Sequence, residues 1–515
     1  MNYQSEQYTV KYAISLFCRW NANRHLIIDD VDRYVGNQLE QEAKSIAHAL
    51  MHYGVGKGDT VVLMGGSSCR FYAAYLAVHK LGAISCNIHA QESPQYLAKT
   101  LLKVQAKLLI CSEAFIGVAS ESLNSLDSAL PLFSLGDKVV DEISENYPSL
   151  ISHYPSVEPQ VCVSPDDPAV IIMSSGSTGT PKGIVHSQGN FVRWLRTAPS
   201  LFGAVSKNTR FLVNVGTSFA AWPFSSLPIL YANGCIVLME NFTPERFCKA
   251  VEKEQVTMAG PVPTMIRRLE PSITEKYDLS SLEMILVAGE PPSENDIERV
   301  LSWSDTDIRC LYLASESAPA GATFWELSDG QKLQKPVCAG KPIPGADIRI
   351  VDPDGSITDT LAVGEQGEVL IKGPTLSMGY LGDEALTQAK FCDGWWRSGD
   401  IGVLDGDGYL TVCGRVDNII NSGGIKIHGE EVEACLIQHP SVSQVAVIGV
   451  TDETWGNRIE AHLSCSSELS QDQLKEWCQT RSLAPFKRPK SYVFHSQLPI
   501  GATGKLDRRS LRERS

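Results

Sequence analysis

The sequence predicts an α/β protein: a large N-terminal region of α/β sheets that carries a small β-rich subdomain, followed by a small C-terminal α+β domain. Three observations predict it. Short apolar runs alternate with helix-length segments from Leu39 to Leu313, the pattern of strand–helix–strand units that build a parallel sheet. From Asp347 the runs shorten and are joined by Gly/Asp turns, a β-rich texture. The chain has 515 residues, more than one domain at roughly 100–200 residues each.

Each element follows from its local pattern. Leu39 to Tyr53 reads as an amphipathic helix, Asp59–Met64 as a short buried strand, Cys69–Leu81 as a helix and Ala83–Ile88 as the next strand. Ala169–Met173, Cys235–Met239, Met284–Ala288 and Cys310–Leu313 continue the series of apolar runs. Ile348–Val351, Glu368–Lys372 and Gly408–Val412 are the shorter strands, joined by turns such as Asp352-Pro353-Asp354-Gly355 and Asp405-Gly406-Asp407-Gly408. Gly429–Gln438, Gln444–Val450, Gln471–Arg481 and Ser491–His495 then mix helix and strand.

Lys and Arg total 45 against 59 Asp and Glu, a net charge of −14. This argues against a general nucleic-acid binder, which carries a basic surplus. A hydrophobic content of 43% with 20% charged residues excludes disorder over most of the chain. No two of the 14 cysteines lie within three residues of each other, so CxxC metal and redox motifs are absent. Scattered cysteines of this kind are small buried hydrophobes of a reducing compartment. Phe211–Met239 is the most apolar long stretch. Asn214, Ser218, Pro223, Ser225, Ser226, Pro228 and Asn233 interrupt it, so it reads as core and not as a membrane span. The opening Met1-Asn2-Tyr3-Gln4-Ser5-Glu6-Gln7 lacks the basic-then-apolar order of a signal peptide, and a cytoplasmic location is expected.

The sharpest feature is Ser174-Ser175-Gly176-Ser177-Thr178-Gly179-Thr180-Pro181-Lys182-Gly183, set between the apolar run Ala169–Met173 and a segment, Ser187–Thr197, that can start a helix. Glycines expose backbone N–H groups, hydroxyls add donors and Lys182 adds charge, which together suit a polyphosphate. The loop is not a Walker A motif, and Gly501–Leu506 fails that pattern too because Leu506 follows Gly504-Lys505. Composition alone leaves a plain linker open.

The order of these residues resembles the signature of the adenylate-forming (AMP-binding) superfamily, [ST]-S-G-[ST]-T-G-x-P-K-G, at every position. Further stretches resemble its other motifs in the family's order. Gly289-Glu290-Pro291 looks like the adenine-side loop. Tyr312-Leu313-Ala314-Ser315-Glu316 resembles Y-G-x-T-E, which implies nucleotide contact at Tyr312 and phosphate and Mg²⁺ contact at Ser315 and Glu316. Trp396-Arg397-Ser398-Gly399-Asp400 resembles [WY]-R-T-G-D, which implies that Asp400 holds the ribose hydroxyls. Gly414-Arg415-Val416-Asp417-Asn418 resembles G-R-x-D-[DN], which places Arg415 on ribose and phosphate and makes Asp417 the hinge. Leu498-Pro499-Ile500-Gly501-Ala502-Thr503-Gly504-Lys505-Leu506-Asp507-Arg508 resembles L-P-x-x-x-x-G-K-[IL]-x-R, whose lysine, here Lys505, contacts the reacting carboxylate and the α-phosphate. Read singly, each residue keeps a plainer role: Asp400 as a helix N-cap, Arg415 as a surface ion pair, Lys505 as a solvated side chain.

A composition break at Asp417 separates residues 1–416 from 417–515. The resemblance implies a mobile C-terminal domain that swings about Asp417. One pose presents Lys505 for adenylation; the other presents Ile420–Ile425, with Ser422, Gly423 and Gly424 on the thiol side. Locally, Ser422-Gly423-Gly424 is equally a hairpin turn.

Three departures from the family pattern bear on the acid. The histidine of many members is missing from Thr217–Trp222, and spacing puts Phe219 in its place, where no general base results. No Asp occurs from Val215 to Trp222 to pair with an α-ammonium, which disfavours an α-amino acid. Leu313 replaces the Gly of Y-G-x-T-E and shortens the pocket, unless its side chain turns into the core. With Phe219, Trp222 and Leu313 at the pocket, a small or medium aryl or acyl acid is expected. His48 and His52, spaced i and i+4, fit a half-buried helix face better than a metal site, and His186 reads as packing beside the loop.

The resemblance thus implies an acyl-CoA synthetase of the acid–thiol ligase type. With ATP and Mg²⁺ it makes an acyl-adenylate, then an acyl-CoA with CoA as cosubstrate, as a monomer or homodimer. Loading of a phosphopantetheinyl carrier protein is the close alternative. A non-catalytic nucleotide- or acyl-binding relative is the remote one, against which the retained Lys182, Glu316, Asp400, Arg415 and Lys505 speak.

Overall fold

Two strands buried at every position, Thr60–Met64 and Ile84–Ile88, run parallel at the heart of one sheet. Their apolar sequences suit that place, because a parallel strand covered on both faces has no solvent side to serve. The computed structural model describes residues 7–126, 129–174, 182–203, 205–304, 306–326, 338–481, 483–499 and 506–512. The chain forms two units: one reaches Asp347 and takes in Ile371–Trp396, the other takes Ile348–Leu370 and the chain from Arg397 onward.

The first unit holds two sheets. Among the described residues one has seven strands, in the order Gly379–Tyr380, Lys182–Ser187, Pro168–Ser174, Ile84–Ile88, Thr60–Met64, Ala106–Cys111 and Leu132–Ser134. Its last five strands are parallel, and Lys182–Ser187 returns antiparallel to Pro168–Ser174. The other has nine, in the order Lys341–Pro342, Ala318–Glu326, Asp307–Ala314, Met284–Ala288, Met258–Ala259, Arg210–Val213, Cys235–Leu238, His25–Ile28 and Arg33–Val35, parallel through its middle. Helices Gly36–His52 and Cys69–Lys80 pack on each other, and the second is buried along almost its whole length. Ser68 caps it by accepting from the Phe71 N–H, and Ser187 caps Gln188–Leu201 in the same way through Asn190.

The predicted elements return with ends shifted by a few residues. Lys182–Ser187 was not expected as a strand, since Gly183 and the charged Lys182 hide its alternation. Phe211–Met239 is core, as its interruptions indicated. It contributes strand Arg210–Val213, helix Ala221–Tyr231 and strand Cys235–Leu238, with Trp222, Phe224, Leu227 and Leu230 buried. Among the described residues no helix is long and apolar enough to cross a membrane. The cysteines described are free thiols, most of them buried.

The second unit begins in the β-rich part. Asp347–Val351, Gln366–Lys372 and Trp395–Leu404 are neighbours, and Leu410–Arg415 pairs with Trp395–Leu404. Beyond it, Val442–Asp452, Gly456–Cys465 and Ser491–His495 form a second sheet. Helices Gly429–Leu436 and Gln471–Thr480 cover it through Val432, Leu436 and Leu474, which pack with Val447 and Leu463. This is the expected α+β texture.

Candidate active site

The C-terminal ends of parallel strands are where α/β sheets present ligand loops, and in the first unit Ser174, Gly289–Pro291 and Tyr312–Glu316 lie at or just beyond such ends. Ser174 ends Pro168–Ser174 and Lys182 opens the returning strand; the two are register partners. Ser175, Gly176, Ser177, Thr178 and Gly179 fall between them, outside the described residues. Met284–Ala288 and Asp307–Ala314 are parallel neighbours, so Gly289-Glu290-Pro291 and Tyr312–Glu316 leave the other sheet at one edge. Gly289 has φ +94°, a conformation that suits glycine at this turn. Glu290 lies 3.5 Å from Arg267, which also binds Asp296 through two hydrogen bonds.

Lys182, Tyr380 and Glu316 come together. The Lys182 ammonium is 5.9 Å from the Tyr380 ring centroid, and the Tyr380 hydroxyl donates to Glu316 Oε1 at 3.0 Å. The Glu316 backbone is held too, its carbonyl accepting from the Ser377 N–H at 2.7 Å. One residue earlier, the Ser315 carbonyl accepts from His186 Nε2–H at 2.7 Å. His186 is fully buried and edge-on to Phe224. Burial pushes its imidazole down to about 4, so it is neutral near pH 7, and the carbonyl it faces requires the proton on Nε2. His186 is therefore a strut for the Ser315–Glu316 turn. The oxygen donor of Glu316 fits Mg²⁺, a hard cation that takes one or two protein carboxylates and completes its shell with water and substrate phosphates.

Tyr380 is the residue the sequence reading missed. It meets Glu316, 64 positions away, only because Gly379–Tyr380 adds to the edge of Lys182–Ser187. No local pattern carries that signal.

The acid-pocket candidates separate. Phe219 lines a small cavity with Tyr75, Asn87, Ile172, Thr217 and Pro223, and its ring is edge-on to His89 at 6.1 Å. Trp222 lies behind it, fully buried. Its ring packs on Phe71, Tyr72 and Tyr75, and its Nε1–H donates to Ser67 Oγ at 2.9 Å. Trp222 itself does not line the cavity; its ring packs on Tyr75, which does. Leu313 is half-buried at an irregularity in the pairing of Asp307–Ala314 with Ala318–Glu326.

In the second unit Asp400 and Arg415 are cross-strand partners. Arg415 Nη1 donates to Asp400 Oδ1 at 2.7 Å and to the Ser398 carbonyl at 3.2 Å. Asp400 lies within a strand, so the N-cap reading falls; it is 9% exposed, and such a carboxylate needs a compensating charge. Arg415 also lies 3.9 Å from the exposed Asp417. Arg397, ion-paired with Glu368 at 2.5 Å, and Ser398, bonded to the Val369 carbonyl, anchor the Asp400 strand. Ser422, Gly423 and Gly424 join strands Ile419–Ser422 and Ile425–His428 in a hairpin whose two glycines both have positive φ. Lys505 lies outside the described residues. His48 faces the Val157 carbonyl and His52 packs on Tyr53 and Tyr154; neither joins a metal-holding group among the described residues.

Comparison with known proteins decides the family. The AMP-binding enzyme model matches residues 17–381, and the AMP-binding enzyme C-terminal domain matches residues 431–505. The chain belongs to the AMP-binding enzyme family. The 2-succinylbenzoate–CoA ligase of Bacillus licheniformis is 30% identical over 92% of this chain and 93% of its own. The feruloyl-CoA synthase of an Amycolatopsis species is 30% identical over 93% of each chain. Among solved structures, the anthranilate CoA ligase AuaEII in complex with anthranoyl-AMP superposes with a TM-score of 0.86 at 24% identity, over 98% of this chain and 96% of that one. The o-succinylbenzoate CoA synthetase of Bacillus subtilis gives 0.85 at 23% identity, over 97% of each. At that identity the likeness establishes the family's fold.

Proposed function

We propose that this AMP-binding enzyme activates a small or medium aryl or acyl carboxylic acid with ATP and transfers the acyl group to CoA. The observation that carries the reading is the Lys182–Tyr380–Glu316 set beside the stem of the phosphate loop. In the first step a carboxylate oxygen bonds to the α-phosphorus and the bond to pyrophosphate breaks. In the second, the thiol sulfur bonds to the acyl carbon, AMP leaves and the thiol proton passes to solvent. The acid is already ionised near neutral pH, so the first step needs no base, and Phe219 in place of a histidine costs it nothing.

Two anions must meet in that step, and the chain's task is to screen their repulsion and hold them in line. Lys182 and the backbone from Ser174 to Gly179 take the phosphates, with Ser315 and Glu316 holding Mg²⁺. When bound, Mg²⁺ neutralises charge that builds on the phosphate oxygens. Gly289, Glu290, Pro291 and Tyr312 face the adenine side, and Asp400 with Arg415 positions the ribose. Lys505 meets the reacting carboxylate. The small domain 417–515 turns about Asp417 between the two steps, and Ser422, Gly423 and Gly424 serve the thiol side. Two of the relatives are named for aryl-bearing acids, 2-succinylbenzoate and ferulate, which favours an aryl acid here. The protein works in the cytoplasm as a monomer or homodimer.

A pyrophosphate-release screen over a carboxylate panel, with and without CoA, tests this. Acid-dependent release followed by acyl-CoA formation supports it. Release with a carrier protein but no acyl-CoA favours the loading reading, and no release with any acid overturns both. Leu313→Gly is expected to shift the kcat/KM optimum toward longer or bulkier acids by about tenfold, the worth of one or two methylenes. An unchanged profile removes Leu313 from the pocket.

A further inference from the structure

The cavity behind Phe219 has room for about one water-sized group. Ile172, Ala220 and Pro223 give it an apolar wall, and Asn87 is a buried polar residue on that wall. Asn87 is nine-tenths buried, on strand Ile84–Ile88. Its Nδ2 donates to the Thr217 carbonyl at 2.9 Å. That bond fixes the amide's orientation, since a flip would set two oxygens against each other. Oδ1 is left inside the protein with no hydrogen-bond partner. Buried acceptors are ordinarily paired, and an exception marks a place where something else supplies the donor. Thr217 is itself locked, its hydroxyl donating to the Gly65 carbonyl at 2.7 Å. Phe219 follows two residues later. The acceptor is thus rigidly held on a cavity that Phe219 also lines.

We infer that Asn87 Oδ1 is a specificity-determining acceptor for a hydrogen-bond donor on the acid, a hydroxyl or amino substituent carried by an otherwise apolar body. The inference rests on the proposed acid activation and on Phe219 standing at the acid pocket. A second carboxylate at this point is disfavoured, because an ionised carboxylate is acceptor-only and offers Oδ1 nothing. The amide N–H groups of the CoA arm carry the same donor chemistry, so the acid has to be tested without CoA.

The experiment measures acid-dependent pyrophosphate release, CoA omitted, with benzoate and with each hydroxybenzoate and aminobenzoate isomer. The wild-type enzyme is expected to favour one donor-bearing isomer over benzoate by about ten- to a hundredfold in kcat/KM. Asn87→Leu and the smaller Asn87→Ala are expected to erase that preference while benzoate turnover persists, which also reports a folded enzyme. A wild type without preference for any donor-bearing isomer overturns the inference. So does an equal loss for both acids, or a change confined to the KM for CoA in the full reaction. Absence of release in the wild type with this series and with the wider carboxylate panel overturns the acid-activation reading instead.

Discussion

Lys505→Ala is expected to lower acid-dependent pyrophosphate release by about 10²–10³-fold, the usual cost of losing a charge that stabilises a transition state. The same variant is expected to convert supplied acyl-AMP and CoA to acyl-CoA within about twofold of the wild-type rate, since a group used in one step leaves the other untouched. The asymmetry is the point. A folding defect lowers both half-reactions, whereas removal of a cation that meets the incoming carboxylate lowers only the first. The retained thioester step therefore reports that the enzyme is intact. Normal pyrophosphate release from Lys505→Ala would show that the lysine of the Gly504-Lys505-Leu506 stretch has no part in activation.

Glu316→Gln comes next in size. Gln still accepts from the Tyr380 hydroxyl, and the bonds from the Ser377 N–H to the residue-316 carbonyl and from His186 to the Ser315 carbonyl are untouched. The change thus removes the charge while keeping these three bonds. We expect about a hundredfold lower kcat at ordinary Mg²⁺, with partial recovery as Mg²⁺ is raised. Tyr380→Phe is the companion: it keeps the carboxylate and removes the hydroxyl that orients it, so apparent Mg²⁺ affinity is expected to fall about tenfold and activity to recover fully at saturating metal. A Mg²⁺ titration of both variants, read by pyrophosphate release, checks this. If Glu316→Gln shows wild-type Mg²⁺ dependence, Glu316 is no metal ligand.

The family motifs were legible because each is written in a few consecutive positions. A polyphosphate loop needs glycines and hydroxyls in a row, and the Asp400 and Arg415 motifs each occupy a few consecutive positions. The fold class was legible for a related reason: strands such as Thr60–Met64 and Ile84–Ile88 are buried throughout and mostly apolar because both faces are covered. Strand Lys182–Ser187 escaped notice because its alternation is short and begins with Lys-Gly. Trp222 was placed at the pocket on proximity to Phe219. Phe219 precedes the helix Ala221–Tyr231 whereas Trp222 lies within it, and there the rings of Phe71, Tyr72 and Tyr75 take its side chain into the core.

By itself the sequence determined the alternating α/β architecture, the family and the motif residues proposed to meet a nucleotide. Only the tertiary structure decided how those residues are held. It set Tyr380 between Lys182 and Glu316, used a neutral His186 to brace the Ser315–Glu316 turn, paired Asp400 with Arg415 across two strands, and left Asn87 Oδ1 unpaired behind Phe219. The physical reason is sequence separation. Motif chemistry depends on neighbours along the chain, whereas a hydrogen bond between side chains far apart in sequence exists only once sheet register has placed their strands side by side.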